Sequence, residues 1–361
     1  MKNFNLKLES INSSNTYSKK KITKRKIKSL LNVCLILVSF GILVYFCVVD
    51  NNLLNLINLF PSLNLEFIAL AIFLFLLSWY FDSLVLYNII NSTPHTQLQK
   101  RFSVFVVSVI GQYFTLLTPL GIGGQPIQVV ELTKRNIDKS ASLSIVTKKF
   151  FIYQITFLIY LFLSIIFSFQ KVKSLPTEYI AALIIGIVFQ GAMIFSLFLF
   201  STNKKLTLNI IDFFLRLFCK IHIVKDYKST LKDLNSKLDF FVQINSKMKK
   251  NKFLNIKLCF YTFIQLSALL SIPFWVFQAF GEVKAQILES IFSQMLTNTI
   301  SSFTPLPGSA GTAEKSFLTI FSGYLTPHKL SSAMLICRSI TFYLAIIFGT
   351  IFYKIYSKIQ K

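Results

Sequence analysis

Apolar stretches of membrane-crossing length alternate along this chain with short polar or basic segments. Residues 29–49, 67–90, 150–169, 179–200, 258–280 and 330–353 each supply about 20 predominantly apolar positions, enough for a helix to cross a hydrocarbon core. Pro273 predicts a kink in the fifth. Two other apolar regions break the pattern. In each, helix breakers sit between short apolar arms: Thr118-Pro119-Leu120-Gly121-Ile122-Gly123-Gly124-Gln125-Pro126, and Thr304-Pro305-Leu306-Pro307-Gly308-Ser309-Ala310-Gly311-Thr312.

Pro removes a backbone donor and Gly loosens a helix, and hydrocarbon offers no water to the freed groups. Broken backbone at that depth must be enclosed by protein or line a cavity, as in the binding sites of transporters. The arm 102–117 spans roughly 24 Å as helix and the arm from Pro126 to Lys134 roughly 12 Å, both short of a roughly 30 Å core. The economical solution is a hairpin over 102–134 that enters and leaves on one side. A second is expected over 287–326, its first arm carrying Glu289, Gln294, Asn298 and Thr299, too polar to face lipid alone.

Charge placement orients these elements. The basic segment 1–28, the basic amphipathic linker 201–257 and the terminal Lys354, Lys358 and Lys361 are expected in the cytoplasm. The leader has no small-residue cleavage site, so the first helix is expected to be retained. Within the linker, 206–221 reads as an interfacial helix, and Leu231, Leu234, Leu238 and Phe241 fall on one helical stripe. The first hairpin then enters from the cytoplasm and the second from outside. The membrane halves 29–200 and 258–361 thus repeat helix, hairpin, helix in opposite orientation. Thr-Pro-Leu opens both tips, 186 positions apart, and a Ser-Ala pair follows each (Ser140-Ala141, Ser332-Ala333). The expected fold is an all-α integral membrane protein, with six spanning helices plus two re-entrant helical hairpins in an inverted-topology repeat. The interface of such a repeat is the default substrate site. Eight plain spans with Pro-Gly loops at the surface would share the same end orientations.

Composition agrees: 53% hydrophobic and 14% charged residues exclude a soluble protein. The net charge of +24 follows from Lys and Arg at the ends of apolar stretches and suits anionic headgroups. No basic-aromatic module accompanies it, so nucleic acid is not an expected partner. Cys34, Cys47, Cys219, Cys259 and Cys337 lack CxxC spacing, and His95, His222 and His328 are scattered; no metal, cofactor or catalytic set is expected.

The candidate chemistry is substrate binding. Gly121, Gly123 and Gly124 resemble a phosphate-cradling run, but no Gly-Lys-Ser/Thr follows. Helices starting at Pro126 and near Thr312 would point free N–H groups at the tips, suited to an anion. Arg338, about eight residues inside the last span, suits a carboxylate or a phosphodiester. Glu314 is its candidate partner, either in a purely structural pair or as a sensor of a cationic headgroup or proton. Lys149, with Tyr153 and Gln154 one turn on, occupies a comparable place in the first half, and Asp82 is either a helix-end residue or a partner for one of these bases. Gln125, Gln128, Gly308 and Gly311 complete the expected set.

Gly123-Gly124-Gln125-Pro126-Ile127-Gln128 and Lys149-Phe150-Phe151-Ile152-Tyr153-Gln154 resemble the first half of the membrane domain of bacterial lysylphosphatidylglycerol synthases and their free-standing relatives. Residues 307–314 and 338–343 resemble the second half, and the likeness covers roughly residues 30–355. Ser309-Ala310 departs from the Gly-Gly often found there. The resemblance implies that the domain flips aminoacylated phosphatidylglycerol to the outer leaflet of a bacterial cell membrane, giving resistance to cationic antimicrobial peptides. Lysine transfer belongs to a separate soluble domain in that family, which is expected to be absent here. The implied partner is a phospholipid with an anionic or aminoacylated headgroup; a separate synthase and a homo-oligomer stay open. So do two other functions, a phosphatidylglycerol lysyltransferase or its membrane subunit, and a translocator of a polyprenyl-phosphate or glycolipid carrier.

Overall fold

The computed structural model describes residues 59–94, 99–202, 204–220, 251–281, 286–302 and 306–359, with a few isolated positions elsewhere. The expected segment 1–28, the first span at 29–49 and the stripe through Leu234, Leu238 and Phe241 lie outside the described residues.

Among the described residues the fold is helical, with no strand. In order, the helices of eight residues or more are α1 (Leu65–Asn91), α2 (Arg101–Leu117), α3 (Gly124–Thr133), α4 (Lys139–Phe167), α5 (Thr177–Thr202), α6 (Lys204–Lys220), α7 (Lys252–Leu270), α8 (Ile272–Ala279), α9 (Ile287–Ser301), α10 (Thr312–Ile320), α11 (Pro327–Arg338) and α12 (Leu344–Ile359). Among the described residues, five stretches are long and apolar enough to cross a membrane: α1, α4, the first part of α5, α7 with α8, and α11 with α12. Their caps are polar, as their sequences require. Asn64 accepts the Glu66 N–H at 3.0 Å, Asp138 accepts from Ser140 at 2.8 Å, and Asn251 accepts from Leu254 at 3.0 Å. Large apolar side chains such as Phe162, Ile184 and Val188 stand exposed on the outer faces, as a lipid solvent allows.

The expected kink at Pro273 is a break between α7 and α8 at Ser271. A second break was not legible: a π-helical turn over Ser339–Tyr343 separates α11 from α12. The amphipathic segment expected at 206–221 is α6.

The two broken regions form helix pairs. α2 packs on α3, α9 on α10, and the turns joining each pair pack against one another. Thr118 locks the first turn: its hydroxyl donates to the Phe114 carbonyl at 2.7 Å and accepts the Gly123 N–H at 2.9 Å. Helix α3 begins at Gly124, two residues before the expected Pro126, which its first turn accommodates. Close approach makes Gly124 necessary, since a Cβ there would sit 1.9 Å from Thr115 Oγ1 and 2.6 Å from the Gly111 carbonyl oxygen.

Both turns share a backbone signature. After Pro119, Leu120 and Gly121 are left-handed (φ 55° and 66°); after Pro307, Gly308 and Ser309 are left-handed (φ 61° and 54°). Each turn leads into a helix five residues after its proline, at Gly124 and Thr312. The geometric correspondence therefore pairs Pro119 with Pro307, two residues out of step with the Thr-Pro-Leu match read from the sequence. Ser309, the position noted above as departing from Gly-Gly, holds a conformation L residues rarely adopt.

Candidate functional site

Where the two turns meet, they wall a cavity of about 490 Å³ whose other sides come from α1, α2, α4, α5, α7, α9 and α11. Each half contributes one buried ion pair beside it. On the first side, Lys149 Nζ of α4 lies 2.6 Å from Asp82 Oδ2 of α1, with both side chains nearly buried. Ser108 of α2 donates to the same carboxylate oxygen, and Gln265 Nε2 of α7 donates to Asp82 Oδ1 at 3.2 Å. One carboxylate thus ties four helices together. Asp82 lies in the interior of α1, so of the two roles read for it the partner role holds and the helix-end role does not.

On the second side, Arg338 Nε donates to Glu314 Oε1 at 2.7 Å and Nη2 donates to the Gly308 carbonyl at 2.8 Å. Its guanidinium lies 5.1 Å from the centroid of the Phe342 ring. The backbone of Gly308 rests on that ring, so closely that a Cβ would be 2.2 Å from it. The π-helical turn follows Arg338 and contains Phe342, so both side chains meet the same turn. Glu314, 1% exposed, also accepts the Gly311 N–H at 2.6 Å through Oε2. The first free N–H of α10 is therefore already taken by a side chain of the protein.

Of the expected residues, Gly121, Gly124, Gln125, Gln128, Lys149, Tyr153, Gly308 and Arg338 line the cavity. Gly123, Gly311, Thr312 and Glu314 stand behind its wall: Gly123 is held by Thr118, while the Thr312 hydroxyl bonds to Thr304 and to the Ser309 carbonyl. Sequence reasoning left out most of the polar lining. Gln112, Gln190 and Gln265 are there, on helices whose apolar character makes an amide conspicuous. Among the described residues no cluster of metal-ligating side chains occurs.

The sequence pattern of the family described as lysylphosphatidylglycerol synthase TM region matches residues 32–349. The chain belongs to that family. No curated protein matches it at a significant level. Family membership and the five apolar helices together make this a multi-pass membrane protein. The family match takes in both turns and both ion pairs.

Proposed function

We propose that this protein moves a phospholipid, lysyl-phosphatidylglycerol or a related lipid phosphate, across the bacterial cell membrane, contributing to resistance to cationic antimicrobial peptides. In this reading α2–α3 and α9–α10 are re-entrant hairpins of an inverted repeat, with both termini cytoplasmic. The headgroup enters the cavity between them while its chains stay in lipid. One observation carries the reading: the turns of two broken helix pairs meet at a cavity lined by many polar side chains, with a buried ion pair on either side of it. Irregular backbone at membrane depth is tolerated where it borders such a chamber. A lipid phosphate would engage Arg338, and relative movement of the two halves would open the cavity alternately to either leaflet.

Reconstitution into vesicles with fluorescent phospholipids, read by quenching of the outer leaflet, tests this. Wild-type protein should speed lipid movement, and Arg338→Ala and Glu314→Ala should each abolish most of it. Unchanged movement in both correctly folded variants would remove the site from consideration. The family description names a synthase, which keeps a second reading, a membrane subunit of a phosphatidylglycerol lysyltransferase. New lysyl-lipid in cells expressing this chain alone would favour it.

A further inference from the structure

Seven of the chain's fourteen glutamines line this one cavity among the described residues, and Asn298 joins them. Amides are expensive to place in a membrane interior unless they meet a polar partner. Two of these carry a carbonyl oxygen that lacks one. Gln154 is 5% exposed, and its Oε1 is buried with no hydrogen-bond partner, while its Nε2 donates only to the sulfur of Met193 at 3.3 Å. Gln294 Oε1 is buried and orphaned in the same way, its Nε2 donating to Asn298 at 2.8 Å. The two glutamines sit on α4 and α9, which pack on each other. Turning either amide over would orphan the nitrogen as well and set the oxygen against another acceptor, the Met193 sulfur or Asn298 Oδ1. A hydroxyl, which both donates and accepts, satisfies either orientation.

The charged groups point the same way. Asp82 and Glu314 each already hold a cation, so neither is free to receive an ammonium group. Lys149 is closed by its carboxylate. Arg338 uses Nε and Nη2 within the protein and leaves Nη1 without a partner among the described residues, enough for one phosphate oxygen. Breaking either buried pair to gain more would leave an uncompensated charge. Recognition then falls to neutral amides.

We propose that the cavity selects a lipid whose headgroup is rich in hydroxyls, a polyol or sugar joined through phosphate. The phosphate docks on Arg338 Nη1 and the hydroxyls satisfy Gln154 and Gln294. This rests on the lipid-transport reading of the same cavity and, of the two substrates named there, favours the related lipid phosphate over the lysyl lipid.

The test measures binding, not movement. Trp79 lines the cavity and Trp275 is the only other tryptophan, so a Trp275→Phe protein reports from Trp79 alone. The protein is placed in phosphatidylcholine vesicles through a sugar-free detergent. Phosphatidylinositol, lysyl-phosphatidylglycerol or phosphatidic acid is then titrated in. The expected result is a saturable change in Trp79 emission with phosphatidylinositol, at a mole fraction about tenfold below that for the other two. Gln154→Leu and Gln294→Leu should each weaken the inositol lipid about tenfold and leave phosphatidic acid unaffected. Equal responses to all three lipids, or the tightest response to the lysyl lipid, would overturn the proposal. The wild-type comparison decides the matter even where a leucine variant fails to insert. Displacement of the signal by millimolar soluble inositol phosphate would overturn the lipid as its source. A protein that moves lipids without this preference keeps the transport function and loses this inference. One that binds with this preference and moves nothing does the reverse.

Discussion

Lys149 of α4 and Asp82 of α1 meet at 2.6 Å beside the cavity, with 12% and 3% of their side chains exposed. Sixty-seven residues separate them in the chain, and burial makes each depend on the other. Taking an ion out of water is expensive, and the attraction offsets this only while both partners remain. Arg338 and Glu314 repeat the relationship on the other side, at 2.7 Å with 15% and 1% exposed.

Asp82→Ala should therefore destabilise the protein by about 3–5 kcal/mol, because it strands a buried ammonium group. The double substitution Asp82→Asn with Lys149→Met should recover most of that loss. Thermal unfolding in matched detergent gives the comparison. A double variant no more stable than Asp82→Ala would mean that the carboxylate acts through Ser108 and Gln265, with Lys149 incidental.

Arg338→Lys retains the charge but not the fork. An ammonium group cannot hold Glu314 and the Gly308 carbonyl in the same planar geometry. Lipid movement should fall by about tenfold or more, with expression and helix content unchanged. Wild-type rates in this variant would show that charge alone suffices at this position.

Gly124→Ala tests the contact between the arms of the first helix pair. The added methyl would press on Thr115 Oγ1 and the backbone oxygen of Gly111, and a backbone oxygen cannot rotate away. Overpacking of this kind costs about 1–3 kcal/mol. Gly191→Ala, where nothing lies within 4 Å of the added atom, is the control and should be neutral or slightly stabilising. Equal unfolding midpoints for the two variants would contradict the tight packing of α2 on α3.

A cluster at the far end of α9 carries a pH dependence. Tyr324 donates to Glu289 Oε1 at 2.5 Å, and Lys171 also reaches Tyr324 and Ser293. Burial, reinforced by the Glu289 bond, raises the Tyr324 phenol above its ordinary value. Burial lowers the Lys171 ammonium, against the opposing pull of Glu289. The folded tyrosine keeps its proton after the unfolded one has lost it. Its contribution is thus complete below the ordinary tyrosine value and lost as pH rises past it. Lys171 works in the opposite sense, with stability rising as pH approaches the ordinary lysine value. Tyr324→Phe should flatten the alkaline fall in unfolding temperature between about pH 9 and about pH 11. Identical curves for wild type and variant would rule out a linked phenol.

The spans were legible because hydrocarbon imposes a length and a composition that few other environments share, and the boundaries of α1 and α5 moved by only two residues from the expected 67–90 and 179–200. The broken regions were legible for a related reason, since Pro and Gly rarely cluster in a plain span. The Glu314–Arg338 pair could be suspected because both charges fall in apolar surroundings on adjacent elements.

Other features were decided in three dimensions. The partner of Lys149 comes from a helix 67 positions away, and no local pattern selects it over Glu131, which instead holds Lys134 and Arg135. The register of the two turns follows their left-handed backbone, and the shared Thr-Pro-Leu letters point two residues off. A single glutamine in a span says little; its meaning appears when α4, α5, α7 and α9 bring their amides to one chamber. Which segments must leave water can be read from the chain alone, because transfer from water to lipid acts on each segment separately. Which polar groups then face each other was decided only by the tertiary structure, because buried hydrogen bonds and ion pairs are satisfied between elements distant in the chain.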